Sequence, residues 1–284
     1  MLLDLELIDS RPLGTKSGFG RPLIRAAVNG QSTLLLVDTA ATETLFSRRL
    51  LGSLNIGTKA AIAGTDHAGA EVPTWVTTDT LFLELGGHHL ELNEVAAIET
   101  PNIFEDAGIG GILRPQHIFD AATLRLDLRG RRMMLSERPF AKLERADSAP
   151  FSLIPLALKC ERLAGEFDTL IAFSGRFDRY AAGNMLINTG VIESEVAPDE
   201  QGVALPRPVA IGRGLSGSPV LGQVVNGTYF VARAAILASG VIIRQQPAGI
   251  AGQFGMDVLG ATCLDITAEG EATWWIPQEW VPHQ

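Results

Sequence analysis

The sequence predicts a mainly β protein built as two lobes related by a pseudo-twofold axis, with short helices. Three observations predict it. The run Leu34-Leu35-Leu36-Val37-Asp38-Thr39-Ala40-Ala41-Thr42 reads as a strand covered on both faces that ends on a carboxylate. Met185-Leu186-Ile187-Asn188-Thr189-Gly190-Val191-Ile192 repeats that pattern, with Asn188 where Asp38 stands. An apolar-glycine segment follows each copy, at Ala107–Leu113 and at Ala248–Leu259. The turns lie 150 residues apart (38 to 188) and the glycine segments 141 (108 to 249), the drift that duplicated lobes with unequal loops would give.

Size and composition fit two cores. A chain of 284 residues is long for one hydrophobic core and comfortable for two. Its 46% apolar and 19% charged residues, with 30 glycines, suit a loop-rich β protein. The net charge of -9 argues against nucleic acid or an anionic membrane as partner. No stretch reaches the roughly 18 apolar residues of a membrane span. Cys160 and Cys263 make no disulfide framework. The start, Met1-Leu2-Leu3-Asp4-Leu5-Glu6, lacks a basic region and an apolar run, so a cytoplasmic location is expected.

In chain order, Asn29-Gly30 supplies the positive φ angles of a tight turn, making Leu23–Val28 and Thr33–Val37 antiparallel neighbours. An acid leaving so apolar a strand must be hydrogen-bonded or paired. Leu45–Leu51 reads as a short helical turn. Ala61–Ala70, rich in small residues, reads as a mobile hairpin tip carrying Gly64, Thr65 and His67; the histidine is read as solvated, with ligand contact as the alternative. Leu81–Leu85 and Leu90–Leu92 form another hairpin, with His88 and His89 at its turn. No Cys, Asp or Glu stands at metal-ligand spacing to them, so no metal is expected. Leu124–Arg129 alternates as a half-buried strand, Gly130-Arg131-Arg132 turns it, and Met133–Leu135 returns. Arg129, Arg131 and Arg132 are read as a solvated tip. Periodicity is lost from Glu137 to Pro150, the expected connector between lobes at 1–145 and 146–284.

The second lobe repeats the plan. Gly212-Arg213-Gly214-Leu215-Ser216-Gly217 matches the dinucleotide fingerprint formally, but strand and hairpin material follows where a helix is needed. It occupies the slot of the Gly64–Ala70 tip, so Gly214 and Ser216 are placed on a second tip, and no cofactor is expected. Gly214–Ser218 is no nucleophile elbow, since the final glycine is absent. Asn226-Gly227-Thr228 is read as a turn. Leu264-Asp265-Ile266 echoes Leu126-Asp127-Leu128, and Trp274-Trp275-Ile276 ends this lobe where Met133-Met134-Leu135 ended the first.

The apolar-apolar-Asp-Thr-small-small motif at Asp38, its Asn188 copy and the two apolar-glycine segments together resemble the retropepsin-like and pepsin-like aspartic peptidases. The resemblance covers nearly the whole chain and implies the bilobed acid-protease fold, in one chain with two retropepsin-like lobes. It implies that Asp38 and Asn188 face each other as the catalytic pair, supported by Thr39, Ala40, Thr189 and Gly190. It further implies that the threonine hydroxyls cross-link the turns, that the hairpin tips act as flaps over a cleft, and that Asp257 caps a helix. Two carboxylates sharing one proton drive that family's reaction, and Asn188 cannot change protonation state. Asn188 can still donate a hydrogen bond, to Asp38 or to a developing oxyanion. Ala40, where the family prefers glycine, narrows the approach to the carboxylate. The expectation is an impaired or inactive peptidase-like protein, a pseudoenzyme that holds a peptide or small molecule between its lobes and is a monomer rather than a dimer. One alternative is an active endopeptidase using Asp38 with Asn188, or two Asp38 turns in a dimer. Another is a non-proteolytic enzyme using Asp38 as acid or base on a hydrophobic small molecule.

Overall fold

The computed structural model describes residues 3–9, 20–115, 122–140, 153–160, 163, 170–180, 182–198, 207–267 and 270–282. Of the expected connector from Glu137 to Pro150, residues 141–150 lie outside them. Three large sheets make up the described chain. A ten-stranded sheet draws only on residues 8–113, and a seven-stranded sheet only on residues 172–243 and 250–254. A six-stranded sheet joins the halves: Leu3–Glu6, Arg132–Ser136 and Thr123–Asp127 come from the first, then Cys263–Ile266, Glu271–Pro277 and Leu153–Lys159 from the second. Among the described residues no helix is long and apolar enough to cross a membrane.

The two inner sheets share one wiring. Asn29 and Gly30 both take positive φ, and Pro22–Val28 folds back on Gln31–Val37 in antiparallel register. Ile109–Leu113 then lies parallel to Gln31–Val37, so that Leu35, Leu36 and Val37 face Gly111, Ile112 and Leu113. In the second half Ala182–Ile187 takes Ile250–Phe254 as its parallel neighbour, with Met185, Leu186 and Ile187 against Gly252, Gln253 and Phe254. Each parallel strand carries a short antiparallel neighbour, Leu45–Ser47 in the first half and Glu195–Val196 in the second. Gly111 and Gly252 are glycines for one reason: a Cβ on either would run into the backbone of that short neighbour.

Burial runs across the halves. Leu35, Val37, Phe46, Leu126 and Met133 share a continuous apolar cluster with Phe173, Ile187, Phe254 and Trp274. The second half adds a chain of rings through Phe177, Tyr229, Phe254 and Trp274, with neighbouring centroids 4.6, 4.9 and 5.3 Å apart. In the joining sheet the Leu126 and Leu264 positions face each other. Beside them Arg125 holds Asp265 with two bonds of 2.6 and 2.7 Å, while the equivalent pairing on the other side sets Asp127 against Cys263. Burial and the nearby Asp127 carboxylate raise the Cys263 thiol, and the cysteine is free.

Several local expectations need correcting. Leu45–Ser47 is strand, held between Ala96–Ile98 and Ile109–Leu113, and the helix starts at Arg48. His88 and His89 are not in the turn: Gly86 and Gly87 take its positive-φ positions, and the histidines pair with Leu85 and Glu84. Asn226-Gly227 lies inside the Pro219–Val231 strand at a register shift, where Asn226 Oδ1 accepts from the Gly240 N–H at 3.0 Å. Arg132 is exposed at the tip, as expected, and there also pairs with Asp4. Asp257 is not the cap of the Met256–Leu259 helix, since Gly255 holds that place. Its carboxylate accepts instead from the N–H and hydroxyl of Ser194, at 3.1 and 2.6 Å.

Candidate active site

Asp38 and Asn188 each leave the end of an inner strand, and each strand is fixed by its parallel neighbour. The Asp38 N–H donates to Leu113 O at 2.9 Å, and the Asn188 N–H to Phe254 O at 3.0 Å. Threonines lock the turns together reciprocally. The Thr39 hydroxyl donates to Ile187 O at 2.6 Å and accepts from the Thr189 N–H at 3.3 Å. The Thr189 hydroxyl donates to Val37 O at 2.6 Å and accepts from the Thr39 N–H at 3.1 Å. Both threonines are fully buried, so no water competes for these groups.

Across this junction the Asp38 carboxylate packs on Gly190, whose Cα leaves no room for a Cβ. Ala40 closes the first turn by donating its N–H to Asp38 Oδ1 at 2.8 Å, and Gly190 does the same for Asn188 Oδ1 at 2.9 Å. The matching bonds fix which end of the Asn188 amide is oxygen, and its Nδ2 must find an acceptor elsewhere. That acceptor is not Asp38. Nδ2 donates to Gln253 Oε1 at 2.6 Å, because Gln253 stands on the parallel strand directly behind the turn.

Behind Gln253 lies a group the sequence did not single out. Glu195, with a side chain 2% exposed, accepts from Gln253 Nε2 at 2.7 Å and from Gln246 Nε2 at 3.0 Å. Arg244 Nη1 lies 3.3 Å from its Oε2, and His67 Nε2 lies 2.7 Å from its Oε1. His67 is therefore not a solvated loop residue. It reaches from the first hairpin tip into the second half, where Arg244 Nη2 also donates to its carbonyl at 2.5 Å.

The two tips are tied to each other as well. Gly64–Thr65 and Glu71–Val72 form the first hairpin, and the second tip turns at Gly214–Ser218 between Val209–Arg213 and Pro219–Val231. Asp66 Oδ1 accepts from the Ala68 and Ala70 N–H groups within its own tip, at 2.9 and 3.0 Å. Its Oδ2 accepts from the Ser216 N–H and hydroxyl at 2.8 and 2.7 Å. Gly214 has to be glycine there, since a Cβ would overlap the Asp66 carboxylate. Thr65 sits at the base of the first tip in its two-residue strand.

The carboxyl groups differ in their bias. Burial raises Asp38 above the ordinary aspartate value, against the opposing pull of the Ala40 N–H and of the His67 and Arg21 charges. Glu195 goes the other way: burial alone would raise it, but the His67 bond and charge, Arg244 and Gln246 outweigh that and hold it below the usual glutamate value. Asp66 is likewise lowered, the Ser216, Ala70 and Ala68 bonds outweighing burial. The paired turns thus hold one titratable carboxyl that binds its proton more tightly than an ordinary aspartate, opposite an amide whose two ends are both engaged. Such a site can donate a hydrogen bond to a ligand carbonyl or accept one proton. A separate open hollow of about 480 Å³, lined by Arg25, Thr33, Glu84 and Gly108, lies at the other end of the strand that Asp38 terminates.

No protein-family model matches this sequence, and no curated protein matches it either.

Proposed function

We propose that this chain is an aspartic-peptidase-like protein, two retropepsin-like lobes in one chain, that binds a peptide or compact small molecule beneath its hairpin tips without efficient amide hydrolysis. The shared wiring of the two inner sheets and the reciprocal threonine bonds support the fold part of this reading. One observation carries the functional part: Asn188 stands where a second acid would stand, and its amide is committed to Gln253. Amide hydrolysis by this chemistry needs one group to take a proton from water while another gives one to the scissile carbonyl. Asp38 can play only one role at a time. Losing one positioned acid or base typically costs ~10²–10⁴ in rate. With its proton bound, Asp38 can hold a ligand carbonyl as a hydrogen-bond donor.

A dyad of two Asp38 residues from two chains is disfavoured by the same geometry, since the place of a second turn is taken by Thr189 and Gly190 of the same chain. Light scattering should therefore give the mass of one chain, 30.3 kDa. The functional test is cleavage of a mixed peptide library from pH 3 to 7, beside Asp38→Ala. The expected result is no cleavage that depends on Asp38. Cleavage abolished by that substitution would overturn the reading.

A further inference from the structure

The polar chain behind the second turn has a direction, and the direction is set at Asn188. Its Oδ1 is held by the Gly190 N–H, so its Nδ2 donates, Gln253 Oε1 accepts, and Gln253 Nε2 is left to donate to Glu195. Glu195 ends the chain as a pure acceptor, collecting donors from Gln253, Gln246, Arg244 and His67. Three of these donors sit in the second half. Only His67 comes from the first hairpin tip.

We infer that Asn188 is a positioning residue: by orienting the Gln253 amide it keeps Glu195 fully bonded, and Glu195 in turn latches His67 and holds the first hairpin shut beside Asp38. The inference rests on reading the space beneath the hairpins as the ligand site, and it assigns the control of entry to that site. A carboxylate at 188 is the same size as the amide but accepts only. It would demand a donor from Gln253, turn that amide around and place Gln253 Oε1 against Glu195 Oε2. A buried carboxylate facing a carbonyl oxygen has lost a bond and gained a repulsion. The latch then weakens although nothing at the hairpin has changed.

The latch is sensitive to acid. Glu195 is faced by His67 from the first tip, by Arg244 and the Gln246 and Gln253 amides from its own half, and by the Tyr229 hydroxyl; Asp38 feels the His67 charge from the turn. His67 and Arg244 favour the ionised form of Glu195 in the closed state, and an opened hairpin removes His67. Glu195 therefore binds its proton more weakly when closed. Closure is fully favoured above the open-state value and is lost as pH falls through the lower closed-state value, beneath the ordinary glutamate value of 4.5.

The experiment is hydrogen exchange of the segment 64–72 and of the Ser216 N–H, in the full chain without ligand, corrected for intrinsic rates between pH 3 and 7. Asn188→Asp should speed exchange of the hairpin at least tenfold at pH 7, and Glu195→Gln should do likewise. The double variant should be slower than either, because the amide introduced by Glu195→Gln can donate to the reversed Gln253 amide and restore an unbroken chain of opposite sense. His67→Ala, which removes only the first tip's share of the latch, should speed exchange equally and make Asn188→Asp without further effect. An unmoved hairpin in Asn188→Asp, or additive effects in the double variant, overturns the inference. Because no ligand or cleavage is involved, Asp38-dependent proteolysis would sink the proposed function and leave this result standing.

Discussion

The two halves use the same sheet positions for opposite chemistry. Leu45 and Ile112 pair across neighbouring strands in the first half, and Glu195 and Gln253 pair at the equivalent place in the second. The first slot is apolar: Ile112 belongs to a cluster with Leu23, Leu36, Phe104 and Ile109, and Leu215 from the second hairpin tip packs against it. The second slot is polar, and His67 from the first tip is bonded into it. Each tip thus crosses onto the opposite half, one held by apolar contact and one by charge. What both halves keep is the backbone-fixing set. Thr39 and Thr189 interlock; Thr44 Oγ1 takes the Arg114 N–H at 3.1 Å as Ser194 Oγ takes the Gly255 N–H at 2.9 Å. The fold is held by hydroxyls and glycines whose alternatives are steric clashes or unpaired buried groups. Side chains facing the hairpins are free to differ, and there one turn carries an acid while the other carries an amide with an acid behind it.

The comparison can be broken first where it is most lopsided. Asp265→Ala removes both carboxylate bonds from Arg125, 8% exposed, and should cost about 3–5 kcal/mol in urea unfolding, whereas Asp127→Ala at the equivalent position, facing Cys263, should cost about 1. Equal losses would mean that the ion pair adds nothing to the joining sheet. Where the halves agree, they should agree in energy. Thr39→Val and Thr189→Val each orphan a buried carbonyl and N–H, about 2–3 kcal/mol apiece, and values differing by more than about 1 would deny the symmetry of the lock.

Asp38→Asn sharpens the contrast between the turns through pH. The proton of Asp38 is held more tightly in the folded chain than in the unfolded one. Its contribution to stability is therefore complete below the ordinary aspartate value and is lost as pH rises through the raised folded value. The asparagine variant should gain stability relative to the native chain between pH 4 and 7, each tenfold of proton affinity being worth about 1.4 kcal/mol. A constant difference across that range would place Asp38 in water. Leu215→Ala should have the smallest effect, about 1 kcal/mol and the same from pH 3 to 7, because the contact it removes carries no charge.

Local chemistry made much of this legible. Four apolar residues before Asp38, the Asn29-Gly30 turn and the paired glycine segments each specify their element with neighbours a few residues away, and the structure contains them. Glu195 left no such trace. In Ile192-Glu193-Ser194-Glu195 it reads as one more acid on a polar stretch, and its burial is created by Gln246, Gln253 and His67, which lie 51, 58 and 128 residues away in the chain. The direction of the Asn188 amide was invisible for the same reason: the residue alone offers a donor, and only the strand behind it decides that Gln253 and not Asp38 receives it. Asn226-Gly227 misled in the opposite way, since a turn dipeptide was absorbed as a bulge. There Gly227 lets the Phe177–Asp178 corner come close, and any Cβ would strike it.

The central claim is that one proton alone titrates at the paired turns. A carbon-13 NMR titration of the Asp38 carboxyl from pH 2 to 9 tests it most directly. A single step above the ordinary aspartate value of 3.8, still single in Glu195→Gln, is the result this account requires. Two coupled steps at Asp38, the signature of a carboxyl that shares its proton with a partner, would contradict it.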